Sequence, residues 1–337
     1  MRSGILAAGN WIRDHVKTVD AWPVQDGLAN IVDRVDGNGG GPYNILKDLS
    51  MLRAPFPLEG IGLVGDDPDG RAIIEDCRAS GIDSSRLRMI PGLRTSYTDV
   101  MAVRGSARRT FFHDRGANAR LGPEHFDFTG ASARIFYLGY LLLLDRLDAP
   151  GVDGAPVARD ILRKAGRAGL VTALDCVSAA GDHFRATVAP VLPEVDVLFV
   201  NDYEAEQVAR ISLGRGRGLD RHAVEVAARA LAGFGVRQWA IVHFPEGACA
   251  CSGKGEVAWQ PAVSLAPDLI AGTVGAGDAL AAGVLFGLHE GWPISQALEL
   301  GACTAAASLM SPTCSAGIMA SADCLSFGRK QGFGMLP

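Results

Sequence analysis

Residues 271–292 read AGTVGAGDALAAGVLFGLHEGW, a glycine-rich turn followed by an apolar helical stretch with one carboxylate, Asp278, in its first turn. The small residues Gly275, Ala276 and Gly277 let the backbone turn tightly and approach a ligand closely. The free N–H groups and the dipole of a helix start favour an anion at this place. A carboxylate facing such a cradle would repel the anion. We therefore expect a protonated group, such as a hydroxyl, to lie between the two.

Outward from this stretch, short apolar runs alternate with helical patterns for most of the chain. The runs typical of buried strands are Gly4–Ala8, Gly60–Val64, Arg134–Leu138, Leu170–Leu174, Val197–Val200 and Trp239–Val242. The helix candidates are Asn44–Leu52, Gly70–Ser80, Ala155–Ala168, Tyr203–Ile211, Arg221–Phe234, Gly275–Glu290 and Ile294–Met310. This alternation predicts an α/β fold, a three-layer sandwich with a mostly parallel central sheet and helices on both faces. Ligands of such sheets bind at the carboxyl ends of the strands.

Two stretches, residues 15–38 and 95–115, break the alternation because they are β-branched or alternating, with turn residues at their centres. They predict hairpin-like strand pairs that form a small β lid over one end of the main sheet. Since the chain shows no repeat and no linker, we predict a single domain over residues 1–337 with this lid. Open edges of a lid sheet can pair between subunits, so a homodimer is a possible assembly.

The composition excludes some classes of function. The 337 residues carry a formal net charge of −5, which argues against a nucleic-acid partner. The longest apolar stretch, residues 135–144, is far shorter than a membrane span, and the N-terminus lacks a signal-peptide pattern. Seven cysteines in mostly apolar surroundings predict buried free thiols in a reducing compartment, and hence a cytoplasmic protein.

A second glycine cluster, Gly39-Gly40-Gly41-Pro42, precedes the first helix and lets backbone N–H groups reach a small polar molecule. Asp14 and Asn44 could supply side-chain contacts there, since a carboxylate suits vicinal hydroxyls. The alternative is a flexible turn followed by an ordinary residue of the first helical turn.

The run VDVLFV is followed by Asn201-Asp202-Tyr203-Glu204. Asn201 and Glu204 are three residues apart, so they share a helix face and could orient waters of a magnesium ion. An N-cap at Asn201 with Glu204 at the third helical position explains the same residues without a ligand.

The sequence GTVGAGD at 272–278 suits phosphoryl transfer, because its helix start can hold the charge that develops on the transferring group. Asp278 can accept the proton of an attacking hydroxyl. We expect the helix start to lower the pKa of Asp278 and to make it a weak base.

These motifs together resemble those of the ribokinase-like (PfkB) family of carbohydrate and nucleoside kinases, and the resemblance runs over nearly the whole chain. It rests on five ordered segments: GGGPYN at 39–44, VGDDPDG at 64–70, RRTFFHDRGAN at 108–118, NDYE at 201–204 and TVGAGD at 273–278. No Walker A motif is present, and no GxGxxG opens the first helix.

The resemblance implies an ATP-dependent sugar kinase, a phosphotransferase that uses magnesium and acts on a hydroxyl of a small sugar or sugar acid. It makes Asp278 the catalytic base, with Gly275, Ala276 and Gly277 as the anion hole. The other residues that it assigns fall into two groups: Asp14, Gly40, Gly41 and Asn44 for the acceptor, and Asn201, Glu204, Thr273, Gly275 and Gly277 for the nucleotide, with Asn201 and Glu204 holding magnesium through water.

The chain departs from the family pattern at three places. Gly272-Thr273 stands where Asp-Thr is usual, and residues 311–315 lack the usual Arg-x-Gly-Ala stretch. In the family, these two segments help to bind an activating monovalent cation. Their loss here argues against such activation. Phe244 places a ring where the nucleotide is expected. Arg115 could contact a phosphate on the acceptor, or could belong to an ion pair within the lid.

Two other functions remain open. A nucleoside kinase would need an aromatic clamp for the base, for which Trp11 and Tyr43 are candidates. A catalytically silent sugar-binding regulatory protein would account for the departures at Gly272, Phe244 and Cys314. The sequence does not identify the acceptor.

Overall fold

The chain forms two β-sheets with helices packed around the larger one in the computed structural model, which describes residues 2–105, 109–179, 183–214, 218–311, 313 and 315–337. The strands are β1 (Ile5–Gly9), β2 (Ile12–Val19), β3 (Ile31–Gly39), β4 (Leu58–Gly65), β5 (Asp83–Ile90), β6 (Ser96–Val103), β7 (Arg109–Asp114), β8 (Ile135–Leu141), β9 (Val171–Cys176), β10 (Val197–Asn201), β11 (Trp239–Phe244), β12 (Gly247–Ser252) and β13 (Val257–Pro261). The helices are α1 (Gly41–Met51), α2 (Pro68–Ala79), α3 (Asp145–Asp148), α4 (Val157–Arg167), α5 (Phe184–Val188), α6 (Asp202–Ala209), α7 (Arg221–Gly233), α8 (Ala276–His289), α9 (Ile294–Leu309) and α10 (Ser321–Gln331).

The large sheet has the strand order β13-β12-β11-β10-β9-β8-β1-β4-β5. Its strands run parallel from β11 to β5, while β12 and β13 add an antiparallel edge. Successive residues of a strand point to opposite faces, and β1 shows this in its packing. Leu6 and Ala8 belong to one buried cluster with α4, α6 and α7, while Ile5 and Ala7 belong to a second with α1, α8 and α9. The predicted three-layer α/β architecture is confirmed.

All six predicted strands and all seven predicted helices form, with ends shifted by a few residues. Three strands and one long helix were not predicted: β5, β12, β13 and α10. The segment GACACS of β12 consists of small residues that favour strands weakly, and β12 forms because it pairs with β11 and β13 on either side.

The small sheet has the order β3-β2-β6-β7. Each predicted lid segment forms an antiparallel pair, β2 with β3 and β6 with β7, and the two pairs join in parallel through β2 and β6. The lid begins earlier than predicted, since β2 starts at Ile12. Asp14 therefore lies inside a strand, and the pleat of that strand sets the direction of its side chain.

The parallel strands bring several polar side chains to one edge of the large sheet. Asn10 follows β1, Tyr140 lies near the end of β8, Asp175 near the end of β9, and Asn201 ends β10. Gly9 lets β1 and β8 approach closely at this edge, because a Cβ at Gly9 would lie 1.5 Å from the carbonyl oxygen of Gly139.

Two further expectations concern helices and thiols. Within the described ranges, no helix is both long and apolar enough to cross a membrane. Six cysteines are free and buried, as predicted: Cys77, Cys176, Cys249, Cys251, Cys303 and Cys324. Cys314 lies outside the described residues.

Candidate active site

Asp278 is the third residue of α8, and its side chain is buried at the start of that helix. Gly275, the residue before the helix, has a φ of 82°, a conformation that glycine adopts without strain. Oδ2 of Asp278 accepts hydrogen bonds from the Tyr140 hydroxyl at 2.7 Å and from the Asn44 side-chain amide at 2.8 Å. Strand β8 and helix α1 thus fix the carboxylate beside the anion-attracting start of α8.

The expectation that the pKa of Asp278 is lowered is wrong. Burial raises this pKa to about 6, although the hydrogen bonds from Tyr140 and Asn44 oppose the rise. A helix dipole stabilises a nearby anion by only about 0.3–1 kcal/mol. Removing a carboxylate from water destabilises its ionised form by more than this, so the net effect is a raised pKa. Asp278 is consequently a better base than an exposed aspartate and is still mostly ionised at neutral pH.

The glycines before α1 lie close to residues of the site, since Gly39 ends β3, Gly41 begins α1 and only Gly40 lies between the two elements. A Cβ at Gly39 would lie 2.2 Å from Oδ2 of Asp14, and one at Gly40 would lie 2.0 Å from the carbonyl oxygen of Asn10. Gly40 also has a φ of 92°, and Gly41 begins α1. The backbone can approach a ligand here because side chains are absent.

Asp14 projects from β2 toward the same space as Asp278. Burial raises the pKa of Asp14 to about 6, a hydrogen bond from Thr98 lowers it, and the charge of Asp278 raises it further. Thr98 is paired with Asp14 across β2 and β6, and its hydroxyl lies 3.0 Å from Nδ1 of His113 on β7. The lid therefore presents a polar row of Asp14, Thr98 and His113.

Two buried amide oxygens around this space have no hydrogen-bond partner among the described residues: Oδ1 of Asn10 and Oδ1 of Asn44. Both amides are oriented by their other end, since Nδ2 of Asn10 donates to the carbonyl oxygen of Tyr140 and Nδ2 of Asn44 donates to Asp278. Buried acceptors without partners cost free energy. A ligand that donates hydrogen bonds would satisfy them.

The segment Asn201–Glu204 forms a capping box at the start of α6. Oδ1 of Asn201 accepts from the backbone N–H of Glu204, and Oε2 of Glu204 accepts from the backbone N–H of Asn201, both at 2.9 Å. Ser178 adds a hydrogen bond to Oε1 of Glu204 at 2.8 Å. The cap alternative is confirmed, and it leaves a water-mediated role for the same side chains open.

Glu204 belongs to a group of acidic side chains that includes a residue not predicted from the sequence, Asp175. Burial raises the pKa of Glu204 to about 7 and the pKa of Asp175 well above its usual range, and the charge of Asp278 adds to both. The described residues hold no cluster of three direct ligands for one ion. Oxygen donors that contact an ion through water suit Mg²⁺, which keeps several of its own waters.

A cavity of about 770 Å³ adjoins the start of α8. Thr273, Gly277 and Asn201 line its polar end, and an apolar wall comes from Ala302, Ala305, Ala306 and Leu309 of α9. A Cβ at Gly277 would lie 2.9 Å from the ring of His243, so the glycine lets this imidazole pack against the helix start. Burial lowers the pKa of His243 to about 4, which keeps the ring neutral.

Phe244 forms part of the cavity wall rather than filling the cavity. Its side chain is buried and packs edge-on against Trp259, with ring centroids 6.3 Å apart. The space beside the strand end therefore stays open to a ligand.

The remaining departures from the family pattern have local explanations. Arg115 pairs with Asp145 at 2.5 Å. The ion pair therefore joins the end of the lid to helix α3 and does not lie within the lid. Gly272 donates its N–H to the carbonyl oxygen of Leu309 at the end of α9. Nearby, Asp48 of α1 is fully buried beside Ser315, and burial raises its pKa well above the usual range. Of the segment 311–315, Pro312 and Cys314 lie outside the described residues.

Comparison with known proteins identifies the family. The family model for pfkB family carbohydrate kinases matches residues 5–320. The chain belongs to this family. It is a carbohydrate kinase, a phosphotransferase with an alcohol group as acceptor, and the predicted kinase class is confirmed.

Two curated relatives carry the names of sugar-acid kinases. A 5-dehydro-2-deoxygluconokinase of Geobacillus thermodenitrificans is 26% identical over 289 residues, which cover 82% of this chain and 80% of the relative. A 2-dehydro-3-deoxygluconokinase of Thermoproteus tenax is 33% identical over 91 residues, 26% of this chain and 27% of the relative.

Solved structures share the fold. The ribokinase of Arabidopsis thaliana, complexed with ribose and ATP, superposes with a TM-score of 0.80 at 18% identity, over 98% of this chain and 99% of that one. A nucleoside kinase of Burkholderia thailandensis in complex with inosine gives a TM-score of 0.72 at 17% identity, over 99% and 100% of the two chains. At these identities the likeness shows the fold alone.

The structure brings the sequence-predicted site residues to one end of the central sheet, and adds Asn10, Tyr140 and Asp175 to them. The signal that could have found these three is their position at the carboxyl ends of predicted strands.

Proposed function

We propose that the protein transfers the γ-phosphoryl group of ATP to a hydroxyl of a small sugar or sugar acid, with Asp278 as the base. The observation that carries this proposal is the buried Asp278 carboxylate, held by Tyr140 and Asn44 between the start of α8 and the space in front of Asp14. An acceptor hydroxyl in that space would have a base on one side and the anion-attracting helix start on the other.

The helix start would hold the transferring phosphoryl group. Backbone N–H groups of Gly275, Ala276 and Gly277 have no partners earlier in the helix, so they can donate to phosphoryl oxygens as charge develops. Thr273 lines the adjoining cavity, where the rest of the nucleotide would bind. The neutral ring of His243 against Gly277 adds no charge to this anion site.

Magnesium would bind at the acidic group of Asp175, Asn201 and Glu204. When bound, the ion supplies positive charge that neutralises the phosphate oxygens during transfer. Burial is the main cause of the raised pKa values of Asp175 and Glu204, and the charge of Asp278 adds to both; a divalent cation would favour their ionised forms. The capping box keeps Glu204 in place with or without the ion.

The acceptor would bind between the lid and the start of α1, where Asp14, Gly40, Gly41 and Asn44 meet. Asp14 can accept hydrogen bonds from two hydroxyls, and the unpartnered Oδ1 of Asn44 from another. Closure of the lid over the acceptor would exclude water and limit hydrolysis of ATP.

The structure weighs against the nucleoside-kinase alternative in one respect. The ring of Trp11 is fully buried and its Nε1 donates to the carbonyl oxygen of Ile61, while the Tyr43 hydroxyl donates to Asp76. Neither side chain is available to clamp a nucleobase.

The test is ADP release in the presence of MgATP and a panel of sugars, sugar acids and nucleosides, with and without potassium. The product is identified by ³¹P NMR. We expect phosphorylation of a sugar-type acceptor at a rate that potassium leaves unchanged. No turnover across the panel, together with no ATP binding by calorimetry, would contradict the proposal and favour the catalytically silent alternative.

A further inference from the structure

One wall of the cavity beside the start of α8 is an irregular segment, residues 262–270, which joins β13 to the glycine turn before the helix. Val263, Leu265 and Ile270 line the cavity from this segment. Apart from a short 3-10 turn at Pro267–Leu269, the segment lies outside the helices and strands of the fold. Because it has no hydrogen-bond ladder of its own, this wall depends on neighbouring parts of the chain for its position.

The C-terminal segment, residues 332–337, lies behind this wall. Gly332 follows the end of α10 with a φ of 80°, a conformation that glycine adopts without strain, and the chain then runs back along the wall. The N–H of Ser264 donates to the carbonyl oxygen of Gly332 at 2.9 Å. The N–H of Gly334 donates to the carbonyl oxygen of Ala262 at 2.8 Å. The segment thus adds a short antiparallel pairing to the wall.

Two side chains anchor the C-terminal segment, one on each face of the large sheet. Phe333 is paired with Val263 and packs against the buried cluster that contains α8 and α9. Leu336 packs against the cluster of the opposite face, which includes Phe244, and a Cβ at Gly247 would lie 3.1 Å from Cδ2 of Leu336. Val263, Phe244 and Gly247 all line the cavity, whereas no described residue of the C-terminal segment does. The segment therefore supports the cavity from behind and does not touch its contents.

The wall also has apolar surface that a ligand would cover. Ile270 is 42% exposed although it lines the cavity, which α9 lines with small apolar side chains. A bound base that covers Ile270 would bury apolar surface, so the affinity for a nucleotide depends on the wall being in place. Coupling between two sites is reciprocal. A bound nucleotide should in turn hold the C-terminal segment in its docked position.

We propose that the C-terminal segment is a positioning element of the nucleotide site, and that its docking against residues 262–264 and the binding of a nucleotide stabilise each other. The proposal rests on the kinase function proposed above, which places ATP in this cavity. The described residues that line the cavity include none of those proposed for the acceptor, namely Asp14, Gly40, Gly41 and Asn44. The segment should consequently affect the binding of ATP and leave the binding of the acceptor unchanged.

The first experiment measures amide hydrogen exchange of the wild-type protein with and without MgAMPPNP, a non-hydrolysable analogue of MgATP. We expect exchange in residues 262–265 and 332–337 to slow at least about threefold when the nucleotide is bound. The control is the turn at 149–157, which also carries an isolated antiparallel bridge, between Pro150 and Pro156, and does not line the cavity. Its exchange should stay the same.

Calorimetry on the same samples distinguishes the failure of this proposal from the failure of the kinase function. Unchanged exchange in residues 332–337 of a protein that binds MgAMPPNP would overturn the coupling and leave the kinase function intact. No binding of MgAMPPNP would count against both proposals.

The second experiment removes one anchor of the C-terminal segment with Leu336→Ala. We expect the dissociation constant for MgATP to rise roughly 3- to 10-fold, with KM for the acceptor at saturating MgATP unchanged. Met335→Ala is the matched control, because the Met335 side chain belongs to the same segment and is 90% exposed, and it should bind MgATP like the wild type. A lower melting temperature in Leu336→Ala with an unchanged dissociation constant for MgATP would mean that Leu336 only stabilises the fold, and would overturn the proposal.

Discussion

The hydrogen bond from the Tyr140 hydroxyl to Oδ2 of Asp278 gives the sharpest test of how the base is tuned. Burial raises the pKa of Asp278 to about 6, and this bond is the larger of the two hydrogen bonds that oppose the rise. In Tyr140→Phe, the ring stays and the donor is lost. The pKa of Asp278 should therefore rise further, and the acidic limb of the pH–rate profile should move with it.

The size of the effect follows from the bond. A hydrogen bond to a charged group contributes roughly 1.5–3 kcal/mol, so its loss raises the pKa by about one unit or more, to about 7. At pH 6, the ionised fraction then falls from about one half to about one tenth, and kcat/KM falls about fivefold. At pH 9 both enzymes are fully ionised, and the difference should vanish or reverse because the variant base is stronger.

The assay is kcat/KM for the acceptor from pH 5 to pH 9 at saturating MgATP. Tyr43→Phe is the matched control, since this buried tyrosine donates to Asp76 instead of Asp278. Its acidic limb should stay in place. An unchanged limb in Tyr140→Phe, or one shifted to lower pH, would refute the reasoning that Asp278 is the titrating base.

Two other variants test the metal site and the buried carboxyl of α1. Glu204→Gln should raise the Mg²⁺ concentration needed for half-maximal ADP release on the order of 10-fold or more, because one charge of the acidic group is lost. A glutamine retains one acceptor for the cap, so the melting temperature should barely change. If the variant needs the same Mg²⁺ concentration as the wild type, Glu204 does not help to bind the metal. Asp48→Asn should raise the free energy of unfolding at pH 8 on the order of 1–3 kcal/mol, since the cost of burying the wild-type carboxylate is only partly offset by Ser315. The folded-state pKa of Asp48 is raised, so wild-type stability falls as pH rises above the unfolded pKa, and the gain should shrink toward pH 4 in urea titrations. A loss of stability at pH 8 would instead mean that Asp48 is ionised and paired.

Much of the fold could be predicted because strands buried on both faces leave apolar runs in the sequence. The runs that became β1, β8 and β10 are of this kind. Strand β12 was not predicted, because its alanines and cysteines have little preference for strands. Its place is decided by pairing with the strands on either side. Tertiary pairing of this sort is not encoded in a local pattern.

The residues of the site also fall into those that a local sequence pattern shows and those that only the fold brings together. Asp278 and the glycines before it are neighbours in sequence, so the motif showed them together. Tyr140 contacts Asp278, and Asp175 lies within reach of its charge, only because the parallel sheet aligns the ends of β8 and β9. A single sequence does not give strand order. The predicted direction of the pKa shift of Asp278 was wrong for a related reason. Burial is a property of the whole fold, and here it outweighs the effect of the local helix dipole.

The most direct test of the central claim is the rate of phosphoryl transfer by Asp278→Asn, measured beside its affinity for MgATP and its melting temperature. The substitution keeps the size of the buried side chain and removes the base. We predict that kcat falls at least about 100-fold, as expected for loss of a general base, while the dissociation constant for MgATP and the melting temperature stay close to wild type. Turnover at the wild-type rate in a folded, ATP-binding variant would contradict the assignment of Asp278 as the base.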